Sequence, residues 1–474
     1  MKMKRWILIL LAMMMMGISS AHAGDNSIDI TAEGDGIAVY QTSSGRKEIG
    51  TLYNGYFVSL SLEDTNGLYS CWLTNDMTVW MDEDKALARY PRDENGFMDW
   101  QAWHDMRNTM PCGMFVAEVT EEEAPLYTSP GHKNLVAKHK KGTLLQVCGE
   151  FGDDYYVDGS NFCGFIPKAA VKHYADVTME NRYTWMNDMA VDECTVHTGG
   201  VPLALGFSAT GYCAEGPVTV EDGEKVKVLK YLDGWAQLTD NSFIESRFLN
   251  AAGDHTIRYA TVKSDKVLDR LNVRWAPDMD RNVVMKLCSA ARVQVPSHTD
   301  EWAAVCITGA EKSIFVSGSA MMEYLVFDDA PVADGCVRVM LAKNLYAGNG
   351  GDEYRQSWSG EMLPAGTEMT VIGLKGDYDM EWDTGDRFLC RLDNGRVILV
   401  WNDDGVLRPL EKTGITVRTN ASVRLREGAG KDTASLRTLE KGAKVEVLLR
   451  GEGWTMVQYK DQEGYVMSRY LNFP

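Results

Sequence analysis

Apolar residues along this chain recur at every second position in short runs, each introduced by a polar turn that carries a glycine. Counting from that glycine, the third and fifth positions are apolar in NGYFVSL (Gly55, Val58, Leu60), KGTLLQV (Gly142, Leu145, Val147), DGEKVKV (Gly223, Val226, Val228), AGTEMTV (Gly366, Met369, Val371) and EKGAKVEV (Gly442, Val445, Val447). In a sixth copy, AARVQV, Ala290 holds the glycine position ahead of Val293 and Val295. Alternation of period two belongs to a strand with one buried face, so each copy predicts a strand entered through a tight turn.

Two further elements accompany every copy. Upstream lies a short strand with an apolar residue followed by Tyr, His or Arg: Val39-Tyr40, Leu126-Tyr127, Val196-His197, Val273-Arg274, Leu345-Tyr346 and Leu425-Arg426. The distance from that apolar residue to the turn position is 16, 16, 27, 17, 21 and 17 residues, so two copies carry insertions. Downstream, an aromatic opens a third strand 12 to 14 residues on at Tyr69, Tyr155, Trp235, Trp302 and Trp454, with Phe388 displaced by the insert GDYDMEWDTGD. Units then close on a short strand and turn, as in GFIPKAAV, SFIESRFL and GYVMSRYL. Three elements recurring six times predict a tandem array of like units.

In the last copy, Val423-Arg424-Leu425-Arg426, Gly442 to Val447, Trp454 to Val457 and Gly464-Tyr465-Val466 through Tyr470-Leu471 follow one another almost without gaps. Taken together these residues resemble the bacterial Src-homology-3-like domain, with its VR-type first strand, G-T-x-V-x-V strand, W-x-x-V strand and G-Y-V-x-x-x-Y-L ending. The stretch Leu271 to Leu325 is the next closest match, and the other four are looser. The resemblance implies an all-β chain of six small barrels in tandem, each closing its own sheet, in a compact or curved array. Their expected limits are 24–90, 112–175, 176–252, 253–330, 331–414 and 415–474, with a Trp-rich connector at 91–111.

Ahead of the array, Lys2, Lys4 and Arg5 precede an apolar run from Trp6 to Met16, and Ala21-His22-Ala23 forms an A-x-A cleavage site. Residues 1–23 therefore read as a secretory signal peptide, no later run is long enough to span a bilayer, and the expectation is an exported protein, periplasmic or secreted. Without that segment the chain has 45 basic and 67 acidic residues, a net charge of −22, which excludes a nucleic-acid binder that works through phosphates. The deficit is uneven: residues 415–474 carry +3 and 24–414 carry −25, so the last unit is the one suited to an anionic surface.

Candidate binding residues come from two places. The slot after the first-strand apolar residue turns away from the interior, which singles out Tyr40, Tyr127, His197, Arg274, Tyr346 and Arg426, with Arg424 on the same face as Arg426. The bland alternative for the slot is a residue covering the rim of its own unit or packing on the next. In the connector, GFMDWQAWHDM predicts a short helix with Trp100 and Trp103 near one face, either as a packed lid or as an exposed stacking surface. A second irregular stretch, Asp176 to Glu193, is expected to pad the joint between the second and third units.

Ten cysteines, all beyond the signal peptide, argue for disulfides in an exported chain. The repeat map pairs Cys148 with Cys163, Cys194 with Cys213, Cys288 with Cys306 and Cys336 with Cys390 within single units, leaving Cys71 with Cys112. Cys163 of NFCGFIPK superficially has the look of a nucleophile, with His173 ten residues on, but it opens a closing strand, not a helix. Cys194-x-x-His197 has half of a zinc spacing and no second half, so neither a metal nor a cofactor is expected. The reading is a non-enzymatic binding or scaffold protein that attaches to peptidoglycan or to an envelope or extracellular protein. Its alternatives are a purely structural spacer and a cell-wall hydrolase with an unrecognised site.

Overall fold

The chain is all-β, built of short strands separated by turns. The computed structural model describes residues 26–45, 47–63, 67–74, 76–159, 162–206, 208–209, 218–263, 270–274, 277–279, 283–309, 317–328, 337–347, 361–375, 386–402 and 405–473. The expected signal peptide, Cys213 and Cys336 lie outside them. Two compact units are formed: Met1–Cys194 with Val226–Ser242, and Thr195–Lys225 with Phe243–Pro474.

The repeated turn has a single physical basis. Gly55, Gly142, Gly223, Gly366 and Gly442 all adopt φ between 82° and 92°, a conformation that costs a side-chain-bearing residue about 1–2 kcal/mol, and Ala290 adopts φ 69° in the same place. In each copy the N–H of this residue donates to the carbonyl that ends the module's first strand: Ile30, Val119, Val196, Val262, Leu341 and Thr419, at 2.8–2.9 Å. The left-handed corner thus hooks the turn onto the first strand before the buried valines begin.

Strand order recurs as well. In the C-terminal module it runs Ser435–Leu439, Val423–Arg426, Gln462–Met467, Trp454–Tyr459, Lys444–Leu449, Thr416–Thr419, Leu471–Asn472. The corresponding strands follow the same order in 115–176 and in 259–328. The barrels expected from the resemblance do not close: among the described residues the two end strands of this order are not hydrogen-bonded to each other. The reason lies in the second strand of the order. It pairs fully with its hairpin partner but meets its other neighbour, the third strand of the order, through one residue pair, Arg426 with Tyr465 in the last module. The sheet is therefore open.

Neighbouring modules within a unit are not independent. In the first unit, Glu48–Tyr53 pairs with Leu144–Phe151 (Leu52 opposite Gly149), which joins two modules in one 13-stranded sheet. In the second, Val283–Cys288 pairs with Glu368–Lys375 (Leu287 opposite Gly373) in a 12-stranded sheet. Apolar cores follow the same joins, since Leu52, Val79, Phe151, Phe165 and Trp185 share one cluster. The stretch Asp176 to Glu193 belongs to that core: Arg182 is buried against Asp29 at 2.7 Å, Tyr183 donates to Asp29 at 3.1 Å, and the Trp185 indole donates to Gln146 at 2.7 Å. It covers the first module as well as meeting the second and third, where the Val191 N–H donates to the Val228 carbonyl at 2.8 Å and Leu229 shares the core with Trp185. Burial raises the Asp29 carboxyl pKa, and the Arg182 charge with the two hydrogen bonds opposes that shift.

Candidate ligand-binding cleft

The slot predicted from the sequence is a structural position. Tyr40, Tyr127, Arg274 and Arg426 each follow a register shift in their hairpin, at Val39/Tyr40, Leu126/Tyr127, Val273/Arg274 and Leu425/Arg426. Each then forms the single pairing to the closing strand, opposite Trp80, Phe165, Ser319 and Tyr465. The extra residue lies on the hairpin partner in each case (Ile49, Val136, Val284 and Leu436), so the partner strand bends there and the slot residue sits at the corner of its module. Two slot side chains face local partners: Tyr127 stacks on His132 with ring centres 4.8 Å apart, and His197 stacks on His255 at 5.2 Å. Tyr346 lies opposite Met362 with no register shift in its hairpin.

Of the paired tryptophans, Trp103 behaves as a lid and Trp100 does not. The helix Trp100–Met106 is capped by Asp99, whose carboxylate accepts from the Ala102 N–H at 3.0 Å. Trp103 is buried and stacked on Tyr90 at 4.2 Å, while Trp100 meets the same ring edge-on at 5.9 Å and is 52% exposed. The basic strand of the last module alternates as expected: Val423 and Leu425 are buried and Arg424 is exposed. Arg426 donates to the Thr433 carbonyl at 2.5 Å, so its guanidinium is partly engaged and Arg424 is the more available cation.

No disulfide joins the described cysteines. Cys148 and Cys163 lie on Leu144–Phe151 and Cys163–Pro167, which flank Asp154–Asp158 on opposite sides. Two strand spacings amount to about 10 Å, beyond the roughly 4.4–6.8 Å between Cα atoms that a disulfide spans. The local pairing read from the repeat map would therefore require that sheet to move. Cys71 lies between Leu60 and Val79 in register, and burial pushes its thiol up to about 12. Cys112 donates to the Asn54 carbonyl at 3.4 Å, and Cys194 lies 3.4 Å from the Tyr231 hydroxyl. Cys288 faces Arg270, and Cys306 faces Gln294 and Ser317.

One slot residue, Arg274, opens onto a cleft of about 420 Å³ in the second unit. Its other lining residues are Val262, Lys263, Arg270, Leu271, Asn272, Met279, Lys286, Met321, Tyr324, Arg450 and Glu452. Arg270 and Arg274 share a face of the strand Arg270–Arg274 because Leu271 and Val273 take the buried positions between them. Arg450 and Glu452 come from the turn between Lys444–Leu449 and Trp454–Tyr459. That turn is anchored by Asp386, whose carboxylate accepts the N–H groups of Glu452, Gly453 and Trp454 at 2.7, 3.0 and 3.0 Å.

Glu452 holds the cations in place. Its carboxylate receives Arg270 at 3.1 Å and Lys286 at 2.6 Å, while a second Arg270 nitrogen donates to the Arg450 carbonyl. Burial resists ionisation of Glu452, but the Lys286 hydrogen bond and the charges of Lys286, Arg270 and Arg450 outweigh it and keep the pKa below the ordinary value. Sequence reasoning reached Arg274 alone in this cleft. The alternation in RLNVR repeats that of VRLR and marks Arg270 equally; nothing local marks Arg450 or Glu452, which tertiary packing brings in.

No curated protein matches this chain. Among solved structures, NlpC1 from Trichomonas vaginalis is 12% identical with a TM-score of 0.16, covering 66% of this chain and 91% of its own. NlpC2 from the same organism is 11% identical with a TM-score of 0.15, covering 65% and 94%. Similarity this low carries no argument. Residues 421–472, the strands Val423–Arg426 through Leu471–Asn472, match the family model of the bacterial SH3 domain.

Proposed function

We propose that this is an exported, non-catalytic binding protein built from six modules of the bacterial SH3 type, with the limits set out from the sequence, and that it attaches to peptidoglycan through the C-terminal module. The observation that carries the reading is the family match at 421–472, on the module that also has a net charge of +3 in an acidic chain. Exposed Arg424, on the outer face of its strand, presents a forked donor suited to wall carboxylates or phosphates. The sheets that join modules in pairs favour a second role as a rigid spacer, which is compatible with attachment at one end of the sequence.

The test is sedimentation of the purified protein with insoluble peptidoglycan. The expected result is co-sedimentation that weakens as salt rises, with Arg424→Ser lowering the bound fraction by roughly threefold and Arg426→Ser by less. Sedimentation unaffected by Arg424→Ser overturns the assignment to this strand. Release of soluble muropeptides overturns the non-catalytic reading.

A further inference from the structure

We propose that the cleft beside Arg274 is a second ligand site, separate from the wall-facing strand, and that it takes a short acidic peptide segment. Charge is the first reason. Among the described residues, five basic side chains, Lys263, Arg270, Arg274, Lys286 and Arg450, line the cleft together with the carboxylate of Glu452, which pairs with Arg270 and Lys286. The chain as a whole is strongly acidic, so a lining in which cations outnumber carboxylates is a local excess of positive charge, and a concave wall of that kind attracts anions.

Glu452 is the second reason, because it shows what the cations hold. A carboxylate already sits between Arg270 and Lys286, at 3.1 and 2.6 Å, in hydrogen-bonded contact with both. The protein's own glutamate demonstrates that this face accepts a carboxylate at ordinary charge-assisted distances. Lys263 and Arg274 extend the basic lining beyond that contact.

Size and apolar lining decide the class of anion. A volume of about 420 Å³ lies within the roughly 300–1,000 Å³ of small-ligand sites, far more than one carboxylate or phosphate fills. Met279 and Met321 give part of the wall a soft apolar surface, and Asn272 offers an amide for a peptide group. A peptide with acidic and apolar side chains uses all three features, whereas inorganic phosphate uses only the first.

Calorimetric titration of the full mature chain tests this, with acetylated Glu-Leu-Glu-Leu as the probe and its Gln-for-Glu counterpart as control. Binding of the acidic peptide alone is expected, weakened about tenfold by Lys263→Ala or Arg274→Ala, the loss of one charge-assisted contact. Glu452→Gln should act in the opposite direction and tighten binding, because it removes the internal competitor for Arg270 and Lys286; a cleft with only a structural role does not give opposite signs. Lys431→Ala, exposed and outside the cleft, should change nothing. A wall stem peptide carries the same carboxylates, and titrating it in parallel tells a wall source from a protein source. No binding of either peptide, equal binding of the Gln control, or inorganic phosphate binding as tightly as the peptide overturns the proposal. Wall sedimentation is read separately with Arg424→Ser, so failure of one site is distinguishable from failure of the other.

Discussion

His139 illustrates how a single residue makes part of this fold sensitive to acidity. It is fully buried on the strand Lys133–Lys140, with its ring 4.8 Å from that of Phe162, and burial lowers its pKa from 6.5 to about 4. Above pH 6.5 the imidazole is neutral in both folded and unfolded chains and contributes nothing to the pH dependence. As pH falls from 6.5 towards 4, the unfolded chain takes up a proton that the folded one refuses, so stability is progressively lost, reaching about 3 kcal/mol near the lower end. Urea midpoints of the first unit measured between pH 7.5 and 4.5 should show this decline, and His139→Leu should flatten it. An equally steep decline in the variant would place the sensitivity elsewhere.

Among elements, the decisive one is the strand that leaves its own module to pair with the next. Gly149 faces Leu52 and Gly373 faces Leu287 across these joins. A Cβ on Gly149 would lie 2.5 Å from the Thr51 carbonyl oxygen, and one on Gly373 would lie 2.6 Å from that of Lys286. Backbone cannot yield as a flexible side chain does, so the two strands must separate. Gly149→Ala and Gly373→Ala should each lower stability by about 1–3 kcal/mol, read as a shifted denaturation midpoint. Alanine at Gly234, where nothing lies within 4 Å of the added carbon, loses only the left-handed glycine conformation at φ 72° and reports that separate cost. If Gly149→Ala leaves the midpoint unchanged, the join does not carry stability.

On the scale of the whole molecule, modularity in sequence does not mean independence in folding. Leu448, Trp454, Met456 and Tyr465 of the last module share a buried cluster with Val339, Phe388, Val400 and Leu407 of the one before. Asp386 adds polar contacts across the same junction, while Glu452 reaches back to Arg270 and Lys286 in the module before that. A chain ending at Gly414 would expose that cluster and leave Asp386 without its three donors. Calorimetry of residues 24–414 should therefore show the transition of the second unit lowered by about 5 °C or more. An unchanged transition would establish that the modules fold separately, as the repeat pattern alone suggests. For locating wall affinity, point variants such as Arg424→Ser are consequently cleaner than truncation.

The sequence by itself determined the all-β class, the repeated turn and the slot. These depend on local rules: a left-handed corner that glycine occupies at lowest cost, and period-two alternation that turns the slot away from the buried face. That is why Gly442, Val445, Arg424 and Leu425 behave as their spacing predicts. Tertiary structure alone decided whether the sheets close, which modules join, and what the slot faces. The sheets stay open because one residue pair cannot seal an edge, and modules join where Gly149 and Gly373 admit a neighbouring backbone. The cleft is tertiary in the same sense, since Arg270 and Glu452 are 182 residues apart in the chain and meet because the fold stacks one module's strand against another's turn. Alternation specifies which face of a strand is buried, while the partner of the other face depends on packing between modules, for which no local pattern exists.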